Sequence, residues 1–378
     1  MCEDLSLAHE ITFIAGPSYH VGERARRLWT RERMGRVTII RTWGTRLPKQ
    51  RLPLRLTNLA TYFALATIAA MRLERPDIIV AETDPPLLGA LGAILKRRWQ
   101  CRLVYNVRDL YPDIAHAIGG VKNPLLLSLL ERGNRLAFDR ADRVVVIGHD
   151  MRARVLAKGV PEDRTVVVPD WVDCERIRPL ASNPFRAQFG DKFVVMYSGN
   201  LGLSQQLDTV LQAAEILRDD QRIVFALIGE GANKKALMQH AAARALVNIM
   251  FMPYQPKDKL AESLGAADLH LIPLAPGTAG CLVPSKIYAI LAAGRPFVAM
   301  MDETAEVARI AREEAVGFVI RPGDARALAS AIGDAIDRPE ILRQMGARAR
   351  RVAVDRFDRH KVTREFDAML TRVAVGPA

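Results

Sequence analysis

The sequence predicts an α/β protein built from two doubly wound domains in tandem that face each other across a cleft. Three observations lead to this class. The chain has 378 residues, which is more than one ordinary core accommodates. Short apolar segments of strand length alternate with helix-length segments, as right-handed βαβ connections require. Most of these segments are continuous apolar runs, which is typical of strands buried on both faces.

Twelve strands are predicted, six in each half of the chain. In the first half they lie at residues 11–15, 37–43, 77–82, 102–107, 143–148 and 165–171. In the second half they lie at residues 193–199, 223–229, 248–254, 269–274, 296–300 and 317–322. The intervening segments have helical length, so each half predicts its own parallel sheet.

A stretch without periodicity, residues 176–190, contains Pro, Ser and Asn and separates the two halves. We therefore predict an N-terminal domain at residues 1–180 and a C-terminal domain at residues 181–350. Residues 351–378 contain an amphipathic helix, for which one arrangement is a return across the linker to the N-terminal domain.

The beginning of the chain departs from the usual order of strand, glycine-bearing turn and helix. Residues 1–10 resemble the end of a helix that leads into the strand at residues 11–15. The first strand of a doubly wound sheet is central, so its absence leaves unpaired backbone groups on both neighbours. We expect the N-terminal domain to lack this strand, through a misplaced start or a natural truncation. The alternative is that residues 11–15 are themselves the first strand.

Composition excludes a disordered chain, because 49% of the residues are hydrophobic and 25% are charged. The net charge of +12 indicates a polyanionic partner such as nucleic acid, anionic lipid or a phosphate-bearing ligand. The alternative is an arginine-rich composition without a specific partner. Aromatic and basic residues are not interleaved, so we expect no nucleic acid. The four cysteines lack C-x-x-C spacing, which argues against disulfides or zinc and for a reducing compartment.

Residues 55–71 form the most apolar long stretch of the sequence. The stretch is short for a membrane span and contains Asn and several Thr, so we predict a core helix. The alternative is an interfacial helix lying on a bilayer. Basic residues just upstream support that alternative: Arg41, Arg46, Lys49, Arg51 and Arg55.

In doubly wound sheets, ligands bind at the carboxyl ends of the strands. Two facing domains offer two such edges, which suits an enzyme with two substrates. The sequence has no D-x-D motif and no cluster of metal-ligating residues. We therefore expect no metal or other cofactor, and phosphate charge would be met by lysine, arginine and helix N-termini.

Three strand–loop–helix turns in the second half are candidates for phosphate binding. Gly199 and Gly202 follow one strand, and Gly229 follows the next. Glycine lets the backbone approach a ligand closely, although an ordinary βα turn has the same pattern. Lys286 follows Ser285 at the start of a helix, where the helix dipole disfavours cations. A diphosphate could use both the amides and the ammonium, whereas the alternative is a lysine that only solvates the helix end.

In the first half, Asp109 follows a strand end and is the candidate for a catalytic or acceptor-orienting carboxylate. A helix cap is the alternative for this residue. Arg108, Asp113 and His116 cluster nearby, and His116 is predicted to be structural or to lie on the rim of the site. Asp150 lies at a predicted helix start and is expected to cap it.

Four blocks, residues 139–173, 196–214, 229–237 and 284–299, together resemble glycosyltransferase family 4. The resemblance covers nearly the whole chain and is strongest to the branch of colanic-acid, O-antigen and exopolysaccharide glycosyltransferases. It implies the GT-B fold, with two Rossmann-like domains. It also implies a metal-independent retaining transfer from a nucleoside diphosphate sugar on the C-terminal domain to an acceptor on the N-terminal one.

The resemblance implies a UDP-linked donor and a lipid-linked or oligosaccharide acceptor in the synthesis of cell-surface polysaccharides or lipopolysaccharide. It places such an enzyme in the cytoplasm, peripheral on the inner face of the cytoplasmic membrane. The candidate catalytic residues are Asp109 and Lys286. The candidate donor-binding residues are Gly199, Asn200, Gly202, Gln205, Gly229, Tyr254, Pro284, Ser285, Lys286 and Glu306.

The chain departs from the family pattern at two places. Asn200 and Gln205 stand where many members have a basic pair, and Cys281 and Ala289 stand where many have two glutamates. Lys286 would then supply the diphosphate charge, and Glu306 is a candidate substitute for ribose recognition. The alternatives are a non-catalytic GT-B module that binds a membrane or partner, and a nucleotide-sugar epimerase.

Overall fold

The computed structural model describes residues 1–16, 28–47, 52–118, 123–202 and 205–376, apart from the side chains of Leu52 and Arg55. All twelve predicted strands are confirmed, and one further strand is present. The strands are β1 Thr12–Ala15, β2 Trp29–Met34, β3 Val37–Thr42, β4 Ile78–Glu82, β5 Arg102–Val107, β6 Arg143–Val146, β7 Thr165–Val167, β8 Phe193–Ser198, β9 Ile223–Ile228, β10 Ile249–Met252, β11 Leu269–Pro273, β12 Phe297–Met300 and β13 Gly317–Ile320.

Helices connect most of these strands and cover the sheets. They are α1 Cys2–Leu5, α2 Leu52–Met71, α3 Leu88–Trp99, α4 Asp113–Ile118, α5 Pro124–Arg140, α6 His149–Ala157, α7 Asp208–Ile216, α8 Lys234–Ala243, α9 Leu260–Gly265, α10 Lys286–Ala292, α11 Glu306–Glu313, α12 Ala325–Ile336, α13 Pro339–Val352 and α14 Arg359–Val375.

The C-terminal domain contains one parallel sheet of six strands in the order β10-β9-β8-β11-β12-β13. Its central strand β8 is buried on both faces. Val195 and Tyr197 belong to one hydrophobic cluster, whereas Val194 and Met196 belong to another on the opposite face. Burial on both faces explains why β8 is a continuous apolar run in the sequence.

The N-terminal domain contains two separate sheets rather than one. Strands β4-β5-β6-β7 form a parallel sheet, and β1-β3-β2 form a second sheet. Within the described residues, β1 and β4 each lie at an edge of their sheet. Strand β2, which pairs antiparallel with β3, is not among the predicted strands. Its charged, exposed sequence is typical of an edge strand and lacks the apolar run used for prediction.

Helices on both sides link the two N-terminal sheets. On one side, Ile14 of β1 and Ile79 of β4 pack against the same small cluster on helices α2 and α3. On the other side, Ile11 and Ile78 pack against a cluster that includes residues of α14. The edges of β1 and β4 are therefore held within one domain, although no strand pairs them in the described residues.

Helix α14 packs on the N-terminal domain. Phe366 and Leu370 share a cluster with Val104 of β5 and Val145 of β6. The Arg359 guanidinium donates to Asp4, with an Nη2 to Oδ1 distance of 2.6 Å. The last helix therefore returns from the C-terminal domain and covers the N-terminal sheet.

Helix α2 has a buried side and an exposed side. Ala66, Ala69 and Ala70 are buried, whereas Ile68 and Met71 are exposed. Of the basic residues predicted to flank it, Lys49 and Arg51 lie outside the described residues. No described helix combines the length and apolar character needed to cross a membrane.

The two domains share a hydrophobic cluster. Tyr105 and Met151 from the N-terminal domain and Ile287 and Tyr288 from the C-terminal domain belong to it. The shared cluster brings the carboxyl-end loops of the two domains together.

Candidate functional site

The predicted donor loops meet at the carboxyl end of the C-terminal sheet. Strand β8 lies between β9 and β11, so the loop after β8 has the other two loops as neighbours. The loop after β11 leads to α10 and Lys286. The order of the strands thus brings together segments that are far apart in the sequence, as binding at the sheet edge requires.

The loops after β8 and β9 touch backbone to backbone. Gly199 N–H donates to the Ile228 carbonyl at 2.9 Å, and Leu201 N–H donates to the Glu230 carbonyl at 2.8 Å. A Cβ on Gly229 would lie 1.9 Å from the Gly199 carbonyl oxygen. Only glycine fits at position 229, and the resulting close approach fixes the shape of both loops.

Lys286 extends from the first residue of α10 to these glycine loops. Its Nζ lies 3.8 Å from the centroid of the Tyr197 ring and 3.1 Å from the place a Cβ on Gly199 would take. No described carboxylate lies within 4.0 Å of this nitrogen. Burial lowers the pKa of Lys286 to about 7. The Tyr197 ring therefore offsets only part of the cost of burying the ammonium. An anion bound beside Lys286 would stabilise the ammonium and would itself be bound more tightly.

Tyr197 is not among the residues predicted from the sequence, although it lies two positions before Gly199. Its hydroxyl donates to the Asn200 carbonyl at 2.8 Å, and its ring lies under Lys286. An aromatic residue at the end of a buried strand, directly before a glycine loop, is the signal that could have identified it. Tyr197 ties the β8 loop to the lysine.

Of the remaining polar residues of the β8 loop, Asn200 is exposed and Gln205 is partly buried. The Gln205 Oε1 is buried and has no hydrogen-bond partner among the described residues. It lies 2.7 Å from the place a Cβ on Gly202 would take, beside the Asn200 amide nitrogen at 2.8 Å. Tyr254 is 51% exposed, and its hydroxyl lies 3.4 Å from the Glu230 carbonyl. Asn200, Gln205 and Tyr254 therefore lie beside the glycines of the β8 and β9 loops.

Pro284 and Ser285 lie directly before α10, which begins at Lys286. Ser285 is the cap residue of α10 and makes no side-chain capping bond. The Ile287 N–H donates to the Pro284 carbonyl at 3.2 Å. Pro284 and Ser285 therefore lead into the helix whose first residue, Lys286, reaches the β8 loop at Gly199.

Glu306 lies at the contact between the domains rather than in the glycine loops. Its Oε2 accepts from the His149 N–H at 2.9 Å, and Arg309 donates to its Oε1 at 2.5 Å. It is 6% exposed. Both carboxylate oxygens of Glu306 therefore have hydrogen-bond partners at the contact between the domains.

Asp109 lies in the N-terminal domain, across the cleft from Lys286. The next residue, Leu110, is hydrogen-bonded to the loop between β11 and α10. The Leu110 N–H donates to the Cys281 carbonyl at 2.8 Å, and the Asp109 N–H donates to Thr83 Oγ1 at 3.0 Å. Helix α4 begins at Asp113, so Asp109 does not cap it. Burial, and then the nearby Asp84, raise the pKa of Asp109 above its usual range. A carboxylate of raised pKa at this edge is suited to hold or accept a proton.

Two of the other polar residues near Asp109 form ion pairs. Arg108 pairs with Asp170 at 2.6 Å, and Asp113 pairs with Lys158 at 2.9 Å. His116 is exposed on α4. Among the described residues, no group of His, Cys, Asp and Glu has an arrangement that could hold a metal ion.

Family models match almost the whole chain. A glycosyl transferase 4-like domain matches residues 4–171, and a glycosyl transferases group 1 domain matches residues 182–352. The gap between the two matches, residues 172–181, overlaps the stretch without periodicity at residues 176–190.

Curated relatives and solved structures agree with these matches. An Escherichia coli protein assigned as a colanic acid biosynthesis glycosyl transferase (WcaI) is 29% identical over 95% of this chain and 91% of its own length. A Pseudomonas aeruginosa protein assigned as a glycosyltransferase (WbjE) is 29% identical over 72% of this chain and 69% of its own. The Anabaena protein HepE, solved with UDP, superposes with a TM-score of 0.69 at 19% identity, covering 88% of this chain and 86% of that one. Sucrose-phosphate synthase from Thermosynechococcus elongatus superposes with a TM-score of 0.79 at 17% identity, covering 98% of this chain and 90% of that one.

Proposed function

This chain belongs to glycosyltransferase family 4 and is a transferase of the GT-B fold, and from that premise we propose its substrates and mechanism. It moves a sugar from a nucleoside diphosphate donor to a lipid-linked or oligosaccharide acceptor, with retention of anomeric configuration. The observation that carries the proposal is the contact of Lys286 with Tyr197 and Gly199, without a carboxylate partner among the described residues. Family membership favours this transferase over the binding module and the epimerase.

A diphosphate matches the charge and shape of the β8 and β9 loops. Lys286 offers an ammonium that burial has made unstable, and a diphosphate would restore its ordinary pKa. Asn200 and Gln205 offer side-chain amides in place of charged groups, so Lys286 carries most of the electrostatic contribution. The backbone of Gly199 and Gly202 permits close approach of the phosphates.

In the transfer step, the bond from C1 of the sugar to the β-phosphate oxygen breaks, and a bond from C1 to an acceptor hydroxyl oxygen forms. The acceptor hydroxyl passes its proton to the β-phosphate oxygen that leaves C1, and the nucleoside diphosphate then releases this proton to water and carries one additional negative charge. Lys286 lies where that charge develops, so it stabilises the transition state more than the bound donor. Asp109, on the opposite side of the cleft, orients the acceptor hydroxyl.

UDP is the proposed nucleotide of the donor. The solved structures of Anabaena HepE contain UDP and UDP-glucose, and that protein shares the fold of this chain. This likeness supports a uridine nucleotide, and competition between nucleotides tests it.

The proposed acceptor is carried by a lipid, and the enzyme works at the inner face of the cytoplasmic membrane. The net charge of +12 favours contact with anionic lipid headgroups. The exposed side of α2, with Ile68 and Met71, supplies an apolar surface that could insert between the lipid headgroups. Flotation with vesicles of phosphatidylglycerol and phosphatidylcholine would test this, and failure to float with the anionic vesicles would contradict it.

The donor site is tested by calorimetric titration of UDP, GDP and ADP against the purified chain and its Lys286→Ala variant. We expect UDP to bind tightest and the variant to lose about 10- to 100-fold in affinity, as loss of a charge-assisted contact implies. Lys192→Ala is the matched control, because Lys192 is exposed and precedes β8 at the opposite end of the sheet. Equal affinity of both variants for UDP would overturn the assignment of Lys286.

A further inference from the structure

Asp150 lies in the N-terminal domain, yet its side chain binds two backbone amides of the C-terminal domain. Its Oδ2 accepts from the Gly280 N–H and from the Glu306 N–H, each at 2.9 Å. Its Oδ1 accepts from the N–H of Met151 at 2.7 Å. The sequence predicts only a helix cap for this residue, and the proposed mechanism does not use it.

A second carboxylate makes the reverse contact across the same boundary. Glu306, in the C-terminal domain, accepts from the backbone N–H of His149 in the N-terminal domain at 2.9 Å. Each domain therefore contributes one carboxylate to the amides of the other. Arg309 balances the charge of this pair through Glu306.

The segment held by Asp150 is the donor loop between β11 and α10. Gly280 has a φ of +73°, and a Cβ there would lie 2.8 Å from the Asp150 carbonyl oxygen. Arg154 Nη2 donates to the Gly277 carbonyl at 3.2 Å, and Leu110 N–H donates to the Cys281 carbonyl at 2.8 Å. The N-terminal domain thus contacts this loop at three successive places.

We propose that Asp150 is a positioning residue for sugar transfer, one that fixes the donor loop against the N-terminal domain. The loop leads directly to Lys286, and the neighbouring Leu110 follows Asp109. Asp150 therefore sets the separation between the group that meets the leaving diphosphate and the group that orients the acceptor. This role rests on the proposed function of Lys286 and Asp109.

A carboxylate is required at this position. Both oxygens of Asp150 accept from N–H groups, whereas an asparagine has a single acceptor oxygen and an NH₂ group that only donates. The Asp150→Asn variant keeps the size of the side chain but must leave either Met151 or the two cross-domain amides without an acceptor. The Asp150→Asn substitution therefore removes a hydrogen-bond acceptor without changing the space that the side chain fills.

Cys281 provides a probe of the loop that does not depend on knowing the substrate. Its side chain is buried in the loop that Asp150 holds, whereas Cys101 is buried at the start of β5 in the N-terminal domain. Alkylation by iodoacetamide, followed residue by residue with mass spectrometry, compares opening of the loop with unfolding of the domain. We expect Asp150→Asn to label at Cys281 at least about tenfold faster, with labelling of Cys101 unchanged.

The kinetic readout is release of UDP from UDP-glucose, with water as acceptor. We expect Asp150→Asn to lower kcat about 10- to 100-fold, as a misplaced catalytic geometry does, and to leave KM within about threefold. The control is Asp163→Asn, because Asp163 is exposed in the same domain. Gly280→Ala approaches the contact from the other domain and should reproduce both effects, so the test survives if Asp150→Asn fails to fold.

Unchanged Cys281 labelling and unchanged kcat in both Asp150→Asn and Gly280→Ala would overturn the inference. Faster labelling of Cys101 and Cys281 in equal measure would also overturn it, since that result indicates general destabilisation. Failure of the proposed function gives a different result, because Lys286→Ala would then bind UDP as well as the parent does. The effects of Asp150→Asn and Glu306→Gln on Cys281 labelling should be non-additive, as expected for one contact.

Discussion

Raising the pH from 6 to 9 should weaken UDP binding to this protein about a hundredfold, because a single lysine loses its proton over that range. Burial lowers the pKa of Lys286 to about 7 in the free protein. The ammonium is then about nine-tenths populated at pH 6 and about one-hundredth populated at pH 9. The diphosphate binds the ammonium, so its apparent affinity follows this population.

The sign of the effect follows from comparing the free and bound states. A bound diphosphate favours the ammonium, so the pKa of Lys286 rises on binding and the complex takes up a proton. Recovery of the ordinary value of 10.5 would correspond to about 5 kcal/mol of preference for the charged form, an upper limit for this contact. The contribution of Lys286 to the affinity is therefore nearly full at pH 6, half lost in population at about pH 7, and lost about tenfold per pH unit above that.

Calorimetry at several pH values, in buffers of different ionisation enthalpy, measures both the affinity and the proton uptake. We expect uptake of about half a proton at pH 7 and about one proton at pH 8. Lys286→Arg is the matched variant, because a guanidinium stays charged over the whole range and removes the pH dependence. A parent affinity that stays within about threefold from pH 6.5 to 9 would refute the reasoning.

Two further predictions concern the close approach at Gly229 and the aromatic ring of Tyr197. Gly229→Ala should destabilise the protein by at least about 2 kcal/mol, because the new Cβ would lie 1.9 Å from the Gly199 carbonyl oxygen. Gly333→Ala, in a helix with no atom within 4 Å of the new Cβ, should instead stabilise it by about 0.5–1 kcal/mol, as urea unfolding would measure. Tyr197→Leu should weaken UDP binding and lower the pKa of Lys286 further, whereas Tyr197→Phe keeps the ring and should change both less. A larger loss in the Phe variant than in the Leu variant would contradict the role of the aromatic face.

Local pattern was enough to predict the apolar strands and the glycine-bearing turns that meet at one edge of the C-terminal sheet. A strand buried on both faces, such as β8, has a continuous apolar sequence, and the turn that follows it can be located directly. Parallel strand order then brings Gly199, Gly229 and Lys286 to one edge without further information. Strand β2 was not predictable in this way, because an exposed edge strand has no apolar run.

Contacts between the domains could not be predicted, because they depend on how two separately folded sheets meet. Asp150 has the sequence signature of a helix cap, and nothing near it in the chain indicates Gly280 or Glu306 as partners. Glu306 is a plausible ribose ligand by chemistry, yet its carboxylate is bound to His149 across the boundary. Tyr197 was overlooked for a related reason, since its partner Lys286 is distant in sequence.

The split N-terminal sheet has a consequence for how this protein behaves in concentrated solution. Within the described residues, β1 and β4 are sheet edges whose outward N–H and C=O groups have no strand partner. Phe13 on β1 is 45% exposed and Val80 on β4 is 42% exposed. Open edges with apolar side chains are templates for pairing between molecules, and the charge of +12 opposes that pairing through repulsion. Added salt screens the repulsion, so we expect the protein to associate less at low ionic strength than at high ionic strength.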